Sequence, residues 1–220
     1  MKLTINQFEV LTSIERNEKK MSQRELSKET NLSLGTINKL IFELFECGYI
    51  TEDNSITKKG LEALEPYKVK RAIFLAAGFG SRLVPVTLNT PKPMVLVNGK
   101  RIIETLLDAV VTAGIEEIYI ITGYLSEQFE VLKKKYPNIR FIENKMYNEA
   151  NNISSAYLVR NLIKNAYVLE SDLYLYNPNL IRKYEYHSNF LGYYVNRSDD
   201  WCLEVKNGII TKEKIGGEKC

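Results

Sequence analysis

Apolar side chains recur at helical spacing along the first third of the chain, at Ile5, Phe8, Leu11 and Ile14. Two more helices are predicted after Ser22 and Ser33, because a serine hydroxyl before a helix can accept a hydrogen bond from its first turn. A short hairpin over 48–57 and a last helix over 58–65 follow. Three helices with a tight turn predict a helix-turn-helix domain at residues 1–68.

From residue 71 the pattern changes to short apolar runs that are separated by helical segments. The runs predict buried strands at 73–75, 117–122, 139–142 and 166–172. A helix over 102–113 separates the first two strands, and this β-α-β order gives a parallel pair whose loops leave one edge of the sheet. We therefore expect an α/β fold, with a doubly wound, Rossmann-like domain at residues 69–220.

The last thirty residues predict more strand. The apolar run at 190–195 is typical of a single strand. Asn207 and Gly208 are typical of a two-residue hairpin turn, which would join strands at 202–205 and 209–212.

The loop after the first strand has almost no side-chain bulk, over Ala76, Ala77, Gly78, Phe79, Gly80 and Ser81. Gly78 and Gly80 can adopt positive φ angles and turn consecutive N–H groups inward, which forms a concave site for a polyphosphate. Arg82 and Lys92 would supply positive charge there. A tight strand-to-helix turn is the alternative, and it explains the glycines but not Arg82 and Lys92.

Two common phosphate loops do not match this segment. A Walker loop needs GxxxxGK[ST], and a dinucleotide fingerprint needs a third glycine where Leu83 stands. The remaining pattern, LAAGxGxRLxPxT followed by PK, resembles the signature of sugar-nucleotide-type nucleotidyltransferases. The signature residues are Gly78, Gly80, Arg82, Pro85, Thr87, Pro91 and Lys92.

Two later segments narrow the resemblance. The sequences GYLSEQFE at 123–130 and NNISSAYLV at 151–159 are similar to those of LicC-type CTP:phosphocholine cytidylyltransferases. This resemblance implies that Asn152 and Ser155 lie at the cytosine pocket and that Gly123 and Tyr124 lie near the nucleotide. Side-chain amides and hydroxyls can recognise a pyrimidine, and plain capping of the following helix is the alternative.

The strand predicted at 166–172 ends in Asp172. The family resemblance implies that this carboxylate binds Mg²⁺. A hard dication that bridges phosphates prefers carboxylate oxygen, which agrees with that role. An ordinary turn residue at the end of a strand is the alternative.

Trp201 is the single tryptophan, and it follows Asp199 and Asp200. An aromatic face beside carboxylates suits a quaternary ammonium, because such a cation cannot donate hydrogen bonds and is held by cation–π and Coulomb attraction. Trp201 is therefore a candidate for a choline site. An anchor in a core or an interface is the alternative.

The helix-turn-helix region resembles a winged helix of the MarR type, a class that normally binds DNA. Residues 1–68 nevertheless carry ten Lys and Arg against eleven Asp and Glu, hence a net charge of −1. DNA binding calls for a basic surface, so DNA is a weakly supported partner. A dimerisation or regulatory role is favoured, which makes a homodimer a further expectation.

The composition of the chain indicates its cellular compartment. The chain is 45% apolar and 26% charged, and it lacks both a membrane-length apolar run and a signal peptide. We therefore expect a cytoplasmic protein without membrane insertion. With a single histidine, His187, a histidine-based triad or zinc site is not expected.

These features predict an enzyme that uses Mg²⁺ to transfer a cytidylyl group from CTP to phosphocholine, giving CDP-choline and pyrophosphate. One alternative is a sugar-1-phosphate or aminoalkylphosphonate nucleotidyltransferase. Another is a transcriptional regulator that senses CTP or CDP-choline through an inactive transferase domain. Domains of this family usually have more residues after this point, and those residues supply a second metal-binding Asp. The resemblance therefore also implies that residues 69–220 are a truncated transferase domain. The sequence does not predict whether this domain turns over substrate.

Overall fold

The computed structural model describes residues 2–17, 20–149, 152–192 and 194–218. The chain divides into two compact units, residues 1–186 and residues 187–220. In the described residues no helix is long and apolar enough to cross a membrane. The boundary predicted between residues 68 and 69 falls inside the first unit and stays a prediction.

The first unit begins with the predicted helix-turn-helix region. Its helices are α1 (Ile5–Arg16), α2 (Gln23–Thr30), α3 (Leu34–Glu46) and α4 (Lys58–Leu64). Ser22 and Ser33 accept hydrogen bonds from the first turns of α2 and α3, so both predicted caps are confirmed. A bridge between Ile50 and Ile56 closes the short hairpin, called the wing below, which completes a winged helix.

A parallel sheet forms the second half of this unit. Its elements in chain order are β1 (Arg71–Leu75), the short pair β2 (Leu96–Val97) and β3 (Lys100–Arg101), α5 (Ile102–Thr112), β4 (Glu117–Thr122), β5 (Ile139–Glu143), α6 (Asn152–Leu158) and β6 (Ala166–Glu170). The four longer strands lie in the order β5-β4-β1-β6, and every pair is parallel. A 3₁₀ helix over Ser126–Lys134 connects β4 and β5.

Both faces of the sheet are covered, which confirms the α/β fold predicted from the sequence. Phe74 and Ile120 pack with α5 on one face, whereas Ile73 and Ile121 pack with Val159 on the other. The alternation follows from the period of two in a strand, because neighbouring residues point to opposite faces. Strands buried on both faces show the continuous apolar runs that identified them.

A late segment of the first unit, residues 181–186, returns to the winged helix. The Val69 N–H donates to the carbonyl of Lys183, and the Glu185 N–H donates to the carbonyl of Tyr67, both at 2.9 Å. Tyr184 is buried in the apolar core of the winged helix. Segment 181–186 is therefore tied to the short joint between winged helix and sheet, where Lys68 and Tyr184 form an isolated antiparallel bridge.

Side chains of the same segment extend this contact along α1. The Arg182 guanidinium donates to both carboxylate oxygens of Glu9, at 3.3 and 3.0 Å, and Lys183 pairs with Glu15. The ring of Tyr186 stacks on Tyr67 with 5.3 Å between centroids. Winged helix and sheet thus share apolar, ionic and backbone contacts within one unit.

The second unit contains an antiparallel hairpin of β7 (Arg197–Lys206) and β8 (Ile209–Glu218). Asn207 and Gly208 both adopt positive φ, at 52° and 76°, as a two-residue hairpin turn requires. The predicted hairpin is confirmed, and both strands are longer than predicted.

The strand predicted at 190–195 is wrong for the residues that the structure describes there. Residues 190–192, 194 and 195 are not strand, and Tyr193 lies outside the described residues. Phe190 and Leu191 are exposed. A run of strand-forming residues forms a strand only where it finds a partner and a buried face, and this run finds neither among the described strands.

Replacing Tyr184 with alanine tests whether segment 181–186 completes the winged-helix core. Tyr184 is 6% exposed, and we expect its loss to lower the free energy of opening α1 by about 3 kcal/mol, because a large buried ring is removed. Amide hydrogen exchange of α1 measures this free energy. The matched control is Tyr176→Ala, because Tyr176 is 88% exposed. Equal exchange in the two variants would contradict the interpretation.

Candidate nucleotide-binding site

The carboxyl ends of three parallel strands meet at one edge of the sheet. Leu75 at the end of β1 is paired with Ile121 in β4 and with Glu170 in β6. The register is held beyond the strands, since the Ala76 N–H donates to the Ile121 carbonyl at 2.9 Å and the Ser171 hydroxyl donates to the Leu75 carbonyl at 2.6 Å. The loops after β1, β4 and β6 therefore emerge side by side.

Gly80 makes the tight turn of the loop after β1. Its φ is 70°, and a Cβ there would lie 3.1 Å from Cβ of Lys92 and 3.2 Å from Cγ2 of Thr87. Thr87 is fully buried, and its hydroxyl donates to the Gly80 carbonyl at 3.0 Å. The prediction that this position needs glycine is confirmed, for its conformation as well as for its close contacts.

Gly78 differs from Gly80. Its φ lies outside the left-handed region, so the expectation that both glycines turn the loop in this way is wrong, because Gly80 alone provides the turn. A Cβ on Gly78 would meet nothing within 4 Å. Gly78 therefore leaves open space beside the backbone, whereas the preceding Ala76 and Ala77 are buried.

Ser81 and Arg82 lie in a short 3₁₀ helix, Ser81–Leu83, directly after Gly80. Both are exposed. The Arg82 guanidinium is thus on the accessible side of the loop, where an anionic ligand can reach it.

Lys92 and Asp172 meet at the same edge of the sheet, although they are 80 residues apart in sequence. Lys92 begins the 3₁₀ helix Lys92–Met94, and the burial of Pro93 and Met94 fixes the backbone beneath it. The Nζ of Lys92 lies 2.5 Å from Oδ2 of Asp172, and the two side chains are 31% and 32% exposed. A half-exposed pair of this kind contributes at most about 1 kcal/mol to stability, and it stays accessible to a ligand.

Tyr124 holds the loop after β1 from the side of β4. Its hydroxyl donates to the Leu88 carbonyl at 2.8 Å, and its ring meets Phe79 edge to face with 4.6 Å between centroids. Gln128 adds a bond of 2.8 Å to the carbonyl of Asn89. Tyr124 therefore has a positioning role here, and its predicted contact with a nucleotide stays a prediction.

Gly123 is needed for close packing. A Cβ at this position would lie 2.7 Å from Cβ of Tyr147 and 2.8 Å from the backbone carbonyl oxygen of Ala77. The loop after β4 can approach the loop after β1 only because residue 123 lacks a side chain.

The residues predicted for the cytosine pocket lie in α6. Asn152 is its first residue and is exposed, whereas Ser155 is buried, at 2% exposure. The Ser155 hydroxyl accepts a hydrogen bond of 3.0 Å from the side-chain amide of Asn144. The contact found for Ser155 is therefore structural, and base recognition by Asn152 and Ser155 stays a prediction.

Asn144 is a site residue that the sequence reasoning missed. It is 2% exposed and directly follows β5. Its amide donates to the hydroxyls of Ser154 and Ser155, at 2.9 and 3.0 Å, and its side-chain oxygen accepts from the Met146 N–H at 3.0 Å. Asn144 thus fixes α6 against the end of β5. A polar residue directly after a predicted strand was the available signal.

Asp172 is the carboxylate that the site offers to a cation. Among the described residues there is no cluster of three or more His, Cys, Asp or Glu that could hold a metal by itself. Mg²⁺ commonly takes one or two carboxylates and completes its shell with phosphate oxygens and water, so a single carboxylate fits a site that also holds phosphates.

Trp201 belongs to the second unit, in β7. Its side chain is 65% exposed, and its backbone N–H donates to the carboxylate of Asp200 at 2.8 Å. The predicted choline contact of Trp201 stays a prediction. The alternative that Trp201 is an anchor in a core is wrong, because its side chain is exposed.

A glycine loop, two cations and a carboxylate at the carboxyl edge of a parallel sheet are typical of α/β domains that bind phosphates. The family model for nucleotidyl transferases matches residues 71–192, and the chain belongs to this family. A model for winged helix-turn-helix DNA-binding domains matches residues 3–51.

The similar proteins include cytidylyltransferases. The 2-aminoethylphosphonate cytidylyltransferase of Lancefieldella rimae is 37% identical over 150 residues, 66% of this chain and 61% of that protein. The choline-phosphate cytidylyltransferase of Streptococcus pneumoniae is 42% identical over 134 residues, 60% of this chain and 58% of that protein. The chain thus spans about three fifths of the length of these relatives.

A solved structure of a cytidylyltransferase is similar in fold as well as in sequence. The CTP:phosphocholine cytidylyltransferase from Streptococcus pneumoniae superposes with a TM-score of 0.59 and is 39% identical, covering 66% of each chain. The similarity therefore extends from sequence to fold.

Two glycine substitutions test which loop glycine is required for packing. We expect Gly123→Ala to lower the free energy of unfolding by about 1–3 kcal/mol, because the new Cβ overlaps Tyr147 and the Ala77 backbone. Gly78→Ala should leave that free energy within about 0.5 kcal/mol, since its Cβ enters open space. Urea denaturation measures both. Equal loss of stability would refute the packing role of Gly123.

Proposed function

We propose that this chain transfers a cytidylyl group from CTP to a small phosphorylated or phosphonate amine, with phosphocholine as the preferred acceptor. The observation that carries the proposal is the pair of Lys92 and Asp172, 2.5 Å apart and partly exposed beside the loop after β1. Membership of the nucleotidyl transferase family and likeness to two cytidylyltransferases support it.

In the proposed reaction a phosphate oxygen of the acceptor attacks the α-phosphorus of CTP. The new P–O bond replaces the bond to the β-phosphate, and pyrophosphate leaves with the bonding electrons. Both reactants are anions, so the main task of the protein is to align them and to offset their repulsion.

The residues at the sheet edge divide this task by their chemistry. Exposed Arg82 and the open backbone at Gly78 suit the β- and γ-phosphates that leave. Lys92 lies on a rigid 3₁₀ turn and offsets charge at the α-phosphate. Its pairing with Asp172 keeps the ammonium oriented before substrate arrives.

Magnesium is proposed as the cofactor, and Asp172 would hold it. When bound, the ion would supply positive charge that offsets the charge of the phosphates. Asp172 can supply one hard oxygen ligand while Lys92 moves to the substrate phosphate, because both side chains are about one third exposed.

Two candidate acceptors differ in the chemistry of their ammonium group. Phosphocholine carries a quaternary ammonium, which suits an aromatic face, whereas 2-aminoethylphosphonate carries a primary ammonium, which donates hydrogen bonds. The named relatives include an enzyme for each compound, at 42% and 37% identity. The segments at 123–130 and 151–159, which are similar to those of LicC-type enzymes, support phosphocholine.

A pyrophosphate-release assay tests the function directly. CTP, UTP, ATP and dTTP are each combined with phosphocholine, 2-aminoethylphosphonate and glucose 1-phosphate, with and without Mg²⁺. We expect release with CTP and phosphocholine in the presence of Mg²⁺. Release only from UTP and glucose 1-phosphate, or from no combination at all, would overturn the proposal.

Removing the charge of Lys92 tests the mechanism. We expect Lys92→Met to lower kcat by about 100-fold or more, because a cation at the reacting phosphate is lost, while the Kd for CTP changes by less than about tenfold. Steady-state kinetics and calorimetry measure the two quantities. Lys28→Met is the control, on an exposed position of α2. An unchanged kcat would exclude Lys92 from the reaction.

Trp201 is tested through the acceptor. We expect Trp201→Ala to raise the KM for phosphocholine about tenfold, because a cation–π contact is worth roughly 0.5–2 kcal/mol, and to leave the KM for CTP unchanged. Ile209→Ala is the control, since Ile209 is 67% exposed in the same hairpin. If both variants keep the wild-type KM for phosphocholine, Trp201 has no choline role.

A further inference from the structure

The winged helix exposes apolar side chains on α3, the helix that enters the DNA groove in helix-turn-helix proteins. Phe42 is 64% exposed and Phe45 is 37% exposed, and Ile41 lies beside them. A helix that contacts base edges and phosphates needs polar and basic side chains at these positions. The exposed face of α3 therefore offers apolar contacts around Phe42 and Phe45.

These side chains line a shallow groove that is open to solvent. The groove has a volume of about 360 Å³ and runs between the start of α2, the exposed face of α3 and the wing. Its principal lining residues are Gln23, Asn38, Ile41, Phe42, Phe45 and Glu52. The lining combines apolar side chains of α3 with polar side chains of α2, α3 and the wing, a combination that suits an amphipathic helix.

The charge at the wing end of the groove is negative. Among the described residues that line the groove, Glu52 is the charged one. Asp53 follows Glu52 in the sequence, and Glu46 follows Phe45. Both acids are exposed. Hydrogen bonds from Thr51 and Ser55 lower the pKa of Asp53, so this carboxylate stays ionised at neutral pH.

Basic groups of this region only partly offset these acids. Lys20 exerts a Coulomb effect on Asp53, and Lys39 on α3 pairs with Glu43 at 3.8 Å. Glu52 therefore meets any ligand that fills the groove between α3 and the wing.

This charge pattern decides between three occupants. DNA phosphates would face Glu52 and Asp53, which repel them. A second copy of this chain, docked groove to groove, would offer Glu52 no Lys or Arg, because none of the described residues that line the groove is basic. A helix with an apolar face and Lys or Arg at one end meets neither obstacle, because its cations face the acids while its apolar face covers Phe42 and Phe45.

We propose that the groove of the winged helix is a docking site for a basic amphipathic helix of a partner protein. The apolar face of that helix occupies the space over Phe42 and Phe45, and its cationic residues pair with Glu52 and the neighbouring acids. The winged helix then acts as a protein-binding module.

A pair of synthetic peptides tests the proposal on the full chain. One peptide is a 14-residue helix of leucine and lysine with one leucine face, and the other has glutamate at every lysine position. We expect fluorescence anisotropy to show saturable binding of the lysine peptide and at least about tenfold weaker binding of the glutamate peptide.

Two variants locate the binding on the groove. We expect Phe42→Ser to weaken binding of the lysine peptide by at least about tenfold, because a central aromatic anchor is lost, and Glu52→Lys to weaken it several-fold. The controls are Leu61→Ser and Glu62→Lys, which change an exposed apolar and an exposed acidic residue of α4 outside the groove. Circular dichroism checks that all four variants are folded.

Three outcomes would overturn the proposal. The first is equal binding of both peptides, or binding that Phe42→Ser and Leu61→Ser weaken alike. The second is salt-dependent binding of duplex DNA that Phe42→Ser abolishes. The third is a dimer of the wild-type chain in sedimentation that Phe42→Ser dissociates, together with no peptide binding.

Discussion

The pairing of β1 on both sides is the constraint on which the rest of the structure depends. Leu75 lies opposite Ile121 and Glu170, so three strands end at the same level. Two hydrogen bonds beyond the strands, at Ala76 and Ser171, keep the following loops at that level. A shift of this register would move Lys92 and Asp172 apart, because they lie on loops from different strands.

The elements that the sequence predicted well are those with strong local signals. Buried parallel strands are continuous apolar runs, serine caps precede helices, and Asn207 with Gly208 marks its hairpin. The run at 190–195 has a similar local signal but finds no partner strand among the described residues. Local composition predicts strands only where tertiary pairing agrees with it.

The candidate site was predictable in its residues and less so in their roles. Gly80 and Lys92 belong to a motif, and the structure brings them into contact with Thr87 and Asp172. Ser155 was expected to face a base, yet its hydroxyl accepts from buried Asn144. Contacts of this kind depend on the distance in space between loops that are far apart in sequence. The spacing of residues in a motif does not predict that distance.

The contact of segment 181–186 with the winged helix limits how the N-terminal helices can be transferred to other proteins. Tyr184 and Tyr186 supply part of the aromatic interior of the N-terminal helices, although they follow the sheet. A cut at the short joint near residue 68 would leave that interior incomplete. Domain shuffling that keeps both halves intact therefore has to carry this distant hexapeptide along, which makes the N-terminal helices a poor cassette for transfer to other enzymes.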